Sequence, residues 1–157
     1  MRKRIITEHI RNVSSDDESW LDLQALARVE LTSEDAEYPI EAALIPGAGS
    51  GWRAAQAGEQ TIRLLFDEPQ RVRRIQILFH ENQEPRTQEF VLRWSRNGGQ
   101  SYQEIVRQQY NFSPPDTTRE VEDYTVDLAA VALLELTIVP DISGGDAVAS
   151  VEQFRVA

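Results

Sequence analysis

The stretch Phe90-Val91-Leu92-Arg93-Trp94-Ser95-Arg96-Asn97-Gly98-Gly99-Gln100-Ser101-Tyr102 decides the fold. Phe90, Leu92 and Trp94 alternate with Glu89, Val91 and Arg93. A period of two marks a strand with one face in a core. Asn97-Gly98 then supplies residues that accept positive φ, as a tight hairpin needs. The segment is read as two antiparallel strands flanking a tight turn.

The same alternation extends outward from this hairpin. Leu23, Ala25, Ala27, Val29 and Leu31 form one run, and Ile62, Leu64 and Phe66 another. Val72, Ile75, Ile77 and Phe79 predict a strand with an irregularity near Arg73-Arg74. Glu120, Glu122 and Tyr124 fall on alternate positions, so the two acids share a face, read as solvent-facing. Leu134, Leu136 and Ile138 form a further strand, and Val148, Val151, Phe154 and Val156 supply the last. Only residues 127–135 look helical, and the β-rich Leu136-Thr137-Ile138-Val139-Pro140 after them predicts a turn into a strand. Gly49-Ser50-Gly51, Glu68-Pro69, Ser113-Pro114-Pro115 and Ser143-Gly144-Gly145 punctuate the runs. Short strands at such spacing predict an all-β chain, an antiparallel sandwich or barrel.

Composition bounds the function. The 157 residues contain no cysteine, which removes disulfides, thiolate nucleophiles and Cys-ligated metals. Twenty-six acids against 16 bases leave a net charge of −10, a field that repels nucleic acid and anionic membranes. Lys3 is the only lysine; arginine supplies nearly all the positive charge. The basic start, Met1-Arg2-Lys3-Arg4, is not followed by the apolar run of a signal peptide, because Glu8, His9 and Arg11 interrupt it. No stretch approaches a membrane span. The chain is read as cytoplasmic, with residues 1–22 an N-terminal arm packed on a body of residues 23–157. Ser15 and Glu18 have capping-box spacing for a short helical turn. Trp20 is read as stapling the arm to the body.

Five pieces of the body, in order, resemble the galactose-binding-like, or discoidin / coagulation-factor type-C, superfamily. They are Ser50-Gly51-Trp52; residues 60–69 followed by 72–78; residues 90–98 with Tyr102; residues 134–140; and residues 149–156. The resemblance implies a jelly roll of two antiparallel sheets. It also implies that ligands, sugars in many relatives, meet loops at one end. Many relatives carry a structural calcium. Ser50 and Glu152 match two of its positions, but the carboxylate and amide positions fall on Ile45 and Gly47. The expectation is therefore no cofactor, with calcium at Ser50 and Glu152 as the less favoured alternative.

The ligand site is expected in two loops. His80, Glu81, Asn82 and Arg86 offer planar polar groups within seven residues. Tyr110 or Phe112 would supply the aromatic face that a sugar ring stacks on. Whether these loops share an end depends on strand parity. The alternative reading of Arg86 is a surface pair with Glu81 or Glu89, which contributes little. Trp52 and Trp94 are read as core. With only two histidines, and no nucleophile elbow, phosphate loop or His-Glu-x-x-His, the chain is read as not an enzyme. The leading function is a non-catalytic binding module for carbohydrate or another small polar ligand. The alternative is a protein-interaction module that forms a homo-oligomer, and a carboxylate-pair hydrolase ranks third.

Overall fold

The computed structural model describes residues 20–157. In chain order the elements are α1 (Leu23–Leu26), β1 (Ala27–Leu31), α2 (Glu41–Leu44), β2 (Trp52–Arg53) and β3 (Gln60–His80). There follow β4 (Arg86–Ser95), β5 (Gln103–Phe112), β6 (Arg119–Val139), β7 (Ser150–Val151) and β8 (Gln153–Val156). All pairings are antiparallel. Neither helix is long and apolar enough to cross a membrane.

The two 21-residue strands, β3 and β6, pair along their whole length and pass through both layers of a sandwich. The first half of β3 and the second half of β6 join β1, β4 and β5 in the order β1-β3-β6-β4-β5. The other halves join β8. Between the layers, register breaks from Leu65 to Arg74. Phe66 to Pro69 intervene on β3 where Ala132 alone intervenes on β6. Such a bulge bends the strand and moves its side chains to the opposite parity. Ile62 and Leu64 point inward before it; Ile75, Ile77 and Phe79 point inward after it. The irregularity read near Arg73-Arg74 is this bulge.

The rings of Phe79 and Phe90, from opposite layers, meet with centroids 5.2 Å apart. Around them Trp52, Leu92, Leu134, Leu136 and Phe154 are fully buried. Each such side chain contributes about 1.5–3 kcal/mol by leaving water.

Four local expectations need correction. Leu23 to Leu26 form a helical turn, not a strand, because the Asp22 carboxylate caps the Ala25 amide at 3.2 Å. The hairpin is a seven-residue loop, 96–102, not a tight turn. There the Asn97 carboxamide bonds Ser101 at its amide and hydroxyl (3.0 and 2.9 Å), while Gly98 and Gly99 take the positive φ. Residues 127–135 are strand throughout, with no turn before Leu136. The arm lies outside the described residues up to Ser19, as does the turn at Ser15 and Glu18. Trp20 itself is tied to the body: the Arg74 guanidinium lies 4.7 Å from its ring, and Leu21 N–H donates to the Val156 carbonyl.

The fourth correction concerns Glu120 and Glu122, which share the face that points inward. Register explains it: Glu120 lies opposite Phe79 and Glu122 opposite Ile77, both core residues. Directly paired residues project to one face. Glu120 is only 3% exposed, and its carboxyl, when protonated, can hydrogen-bond the adjacent Glu122. Glu122 accepts the Tyr124 hydroxyl. Burial, and then the adjacent Glu122, raise the Glu120 carboxyl to about 9.

Because the folded value is raised, the unfolded chain loses this proton first as pH rises. Stability is full below the ordinary value of 4.5 and declines toward about 9. The slope reaches at most about 1.4 kcal/mol per pH unit for one proton. Urea unfolding of Glu120→Gln is expected to show a flatter decline between pH 5 and 9 and higher stability at pH 8. Parallel curves for variant and parent would refute the assignment.

Candidate functional site

At one end of the sandwich, β2 pairs with β7, Trp52 facing Val151 and Arg53 facing Ser150. Gly51 makes this possible. Its φ is +106°, and a Cβ there would lie 2.6 Å from the Val151 carbonyl oxygen and 2.8 Å from Glu152 Cα. The Trp52 ring turns into the core, its Nε1 donating to the Ser33 carbonyl at 3.1 Å. By strand alternation Arg53 then points the other way. A backbone bond from Arg53 N–H to the Tyr38 carbonyl (3.1 Å) brings in the loop before α2. The guanidinium of Arg53 sits over the Tyr38 ring, 5.5 Å from its centre.

These segments enclose a polar hollow of about 300 Å³, lined by Tyr38, Arg53, His80, Asn82, Gln83 and Glu152, with Ser50 at its margin. His80 ends β3, and Glu152 is fixed beside it by its amide, which donates to the Leu78 carbonyl at 2.8 Å. The Glu152 carboxylate faces His80 Nδ1 at 3.6 Å through one oxygen and accepts from Arg119 at 3.3 Å through the other.

The sequence-read residues divide into two groups. His80, Asn82, Ser50 and Glu152 converge on this hollow. Glu81, Arg86, Tyr110 and Phe112 form its support. Register settles the parity question: Arg86 lies opposite Phe112, so both loops share this end. Glu81 accepts the Gln83 and Glu84 amides at 2.8 and 2.9 Å and faces Arg86 at 3.4 Å. Arg86 donates to the Val148 carbonyl at 3.1 Å and lies 5.8 Å from the Phe112 ring centre. Its side chain is 6% exposed, so the expected surface pair with Glu81 is a buried one. Burial holds the Arg86 guanidinium below its ordinary range; Glu81 opposes this and the nearby Arg53 charge adds to it. Phe112 is buried, packed edge-on against Tyr110, whose hydroxyl donates to the Arg119 carbonyl at 3.0 Å. Buried in these contacts, Glu81, Arg86 and Phe112 shape the loop and do not line its exposed hollow.

Tyr38, Arg53 and Gln83 were missed. Arg53 had a signal, being the neighbour of a core tryptophan on a strand. Tyr38 had none, since only the tertiary bond to Arg53 places it.

The donors do not fit the calcium that the family resemblance implies. Among the described residues Glu152 is the one carboxylate lining the hollow, and its oxygens face His80 and Arg119. Calcium takes six to eight oxygens. Among the described residues no three His, Asp or Glu side chains gather in metal-binding range.

Two other hollows offer less to a ligand. One of about 360 Å³ between α1, β1 and α2 is largely apolar, with Leu23, Val29, Ile40 and Leu44 on its walls. Another, of about 320 Å³, crosses the outer face of the larger layer. There Glu135 already accepts from Arg63 at 2.9 Å and Arg93 at 3.3 Å.

Solved structures with the same arrangement of strands include the family 32 module of C. perfringens NanJ in complex with galactose. It has a TM-score of 0.64 and 16% identity over 87% of this chain and 97% of that one. The chain has the fold of a carbohydrate-binding module. The family 32 module of AlyQ, in complex with 4,5-unsaturated mannuronic acid, matches at TM-score 0.61 and 14% identity, covering 84% and 95%. A module from Clostridium perfringens in complex with GalNAc-β-1,3-galactose matches at TM-score 0.61 and 15% identity, covering 88% and 99%. No protein-family model and no curated protein matches the sequence. The structural likeness shows the fold alone, and the hollow's own residues must argue its use.

Gly51→Ala is expected to lower stability clearly more than Gly47→Ala in urea unfolding. Both bear the cost of positive φ, about 1–2 kcal/mol. Only at Gly51 does a Cβ meet backbone; at Gly47 it meets open space. Equal losses would show that the β2–β7 contact is not as close as described.

Proposed function

We propose that the chain is a non-catalytic carbohydrate-binding module whose ligand occupies the hollow between Tyr38, Arg53, His80, Asn82 and Glu152. One observation carries this reading. Polar groups from four separate segments converge on a single open hollow at the loop end of a rigid sandwich. Sugar hydroxyls need donors and acceptors in fixed directions, and these side chains offer both kinds. Asn82 and Gln83 present amides, His80 an imidazole, and Glu152 a carboxylate held in place by Arg119. Tyr38 contributes an aromatic ring that is 37% exposed. A sugar packs its C–H face on such a ring while its hydroxyls meet the polar wall. The solved modules of this fold bind galactose, an unsaturated mannuronic acid and a GalNAc-containing disaccharide, which supports a glycan as the ligand class.

A thermal-shift screen of neutral and acidic mono- and disaccharides tests the reading. Ligand at 100 times its Kd stabilises the fold by about 2.7 kcal/mol. Asn82→Ala and Tyr38→Ala change exposed side chains and are expected to fold as the parent does. Each should weaken binding on the order of tenfold, the worth of one lost contact. No melting shift with any sugar, or a shift that both variants retain, would defeat the proposal.

A further inference from the structure

We propose that the hollow selects a carboxylate-bearing sugar, a uronate, over its neutral counterpart, and that Arg53 is the residue that makes the selection. This inference rests on the glycan-binding reading above and specifies its ligand class.

The basis is the charge around the hollow in a chain whose net charge is −10. Several surface arginines meet acids, as Arg71 pairs with Asp127, Arg74 with Asp123 and Arg107 with Glu89; Arg28, Arg73 and Arg96 show no such pair among the described residues, but none of the three lines the hollow. Among the described residues no carboxylate comes within ion-pair distance of the Arg53 guanidinium, although it borders the hollow. Asp35 is joined to Arg53 through the backbone, its N–H donating to the Arg53 carbonyl at 2.8 Å. The Asp35 carboxylate accepts the Glu37 amide at 2.9 Å and makes no ion pair with Arg53. The acids on the other sides are engaged as well. Glu152 faces His80 and Arg119, and Glu81 faces Arg86.

The guanidinium is also held in place. It lies over the Tyr38 ring, and its backbone is bonded to Tyr38 on one side and Asp35 on the other. A planar fork fixed over a ring loses little freedom when it grips a carboxylate with two parallel N–H bonds. The same Tyr38 ring that would support the sugar's C–H face thus carries the cation that would meet a carboxylate at the sugar's edge. The Arg53 charge also acts on Arg86 behind the loop, where Glu81, Asp141 and Glu84 oppose it. A carboxylate on the sugar would pair with the Arg53 charge; a hydroxymethyl group would not.

Isothermal titration of the full chain with galactose, galacturonate and acetate tests the inference. The two sugars differ at one carbon, as a hydroxymethyl or a carboxylate, and acetate carries the charge without the ring. A charged hydrogen bond predicts on the order of tenfold or more tighter binding of galacturonate than of galactose. That preference should shrink as salt rises, because the Arg53 end of the hollow is open to solvent. Arg53→Gln should bring the ratio of the two affinities close to one. Arg53→Lys, which keeps the charge and loses the fork, should leave an intermediate ratio. Circular dichroism of each variant confirms that it is folded. Equal binding of the two sugars by the parent would overturn the inference and leave the glycan reading standing. Acetate binding as tightly as galacturonate would overturn it by showing a bare anion site. Binding of neither sugar would remove both.

Discussion

The antiparallel pairing of β3 with β6 is the constraint on which the rest of the structure depends. Each strand crosses from one layer to the other, so the same hydrogen-bonded ladder holds both sheets together. The bulge between Leu65 and Arg74 reverses the parity of β3 midway, and this lets both of its halves point apolar residues at one core. Without that reversal Ile75, Ile77 and Phe79 would face water. The strand therefore ends with His80 at the rim and Phe79 inside, and the loop that follows is delivered to the end where β2 meets β7. The polar hollow arises there because two independent constraints agree: the ladder fixes His80 and Arg119, and the Gly51 contact fixes Arg53 and Glu152.

Much of this was legible in the sequence. Alternation in residues 60–66, 90–94 and 134–138 identified strands whose inward residues are the ones expected, because burial on one face is a local, periodic signal. The jelly roll could be read from five weak pieces in order. Other features were not legible, for different reasons. The alternation in Leu23 to Leu31 looks uniform, yet one hydrogen bond from Asp22 makes its first turn helical. For Glu120 and Glu122 the period was right and the face was wrong. Polarity argued for solvent, and only the pairing with Phe79 and Ile77 shows otherwise.

The site was half legible. His80 and Asn82 were picked out by composition, Ser50 and Glu152 by family resemblance, and the structure brings all four to one hollow. Glu81, Arg86 and Phe112 carry the same chemistry in the sequence but are buried in building the loop, a distinction that composition cannot make. Tyr38 and Arg53 depend on contacts across long separations in the chain. They are also what distinguishes this hollow from a generic polar one, since they join an exposed ring to a cation that meets no carboxylate among the described residues. On the proposed reading, the fold gives a place for a ligand and these two side chains give it a chemical preference.

The most direct test of the account is amide chemical-shift mapping in a titration with galacturonate. The account expects changes at Tyr38, Arg53, Asn82, Gln83 and Val151, with Arg63, Arg93 and Arg107 on the outer sheet face unmoved. Changes concentrated on that outer face, or along β1 and α2, would contradict it.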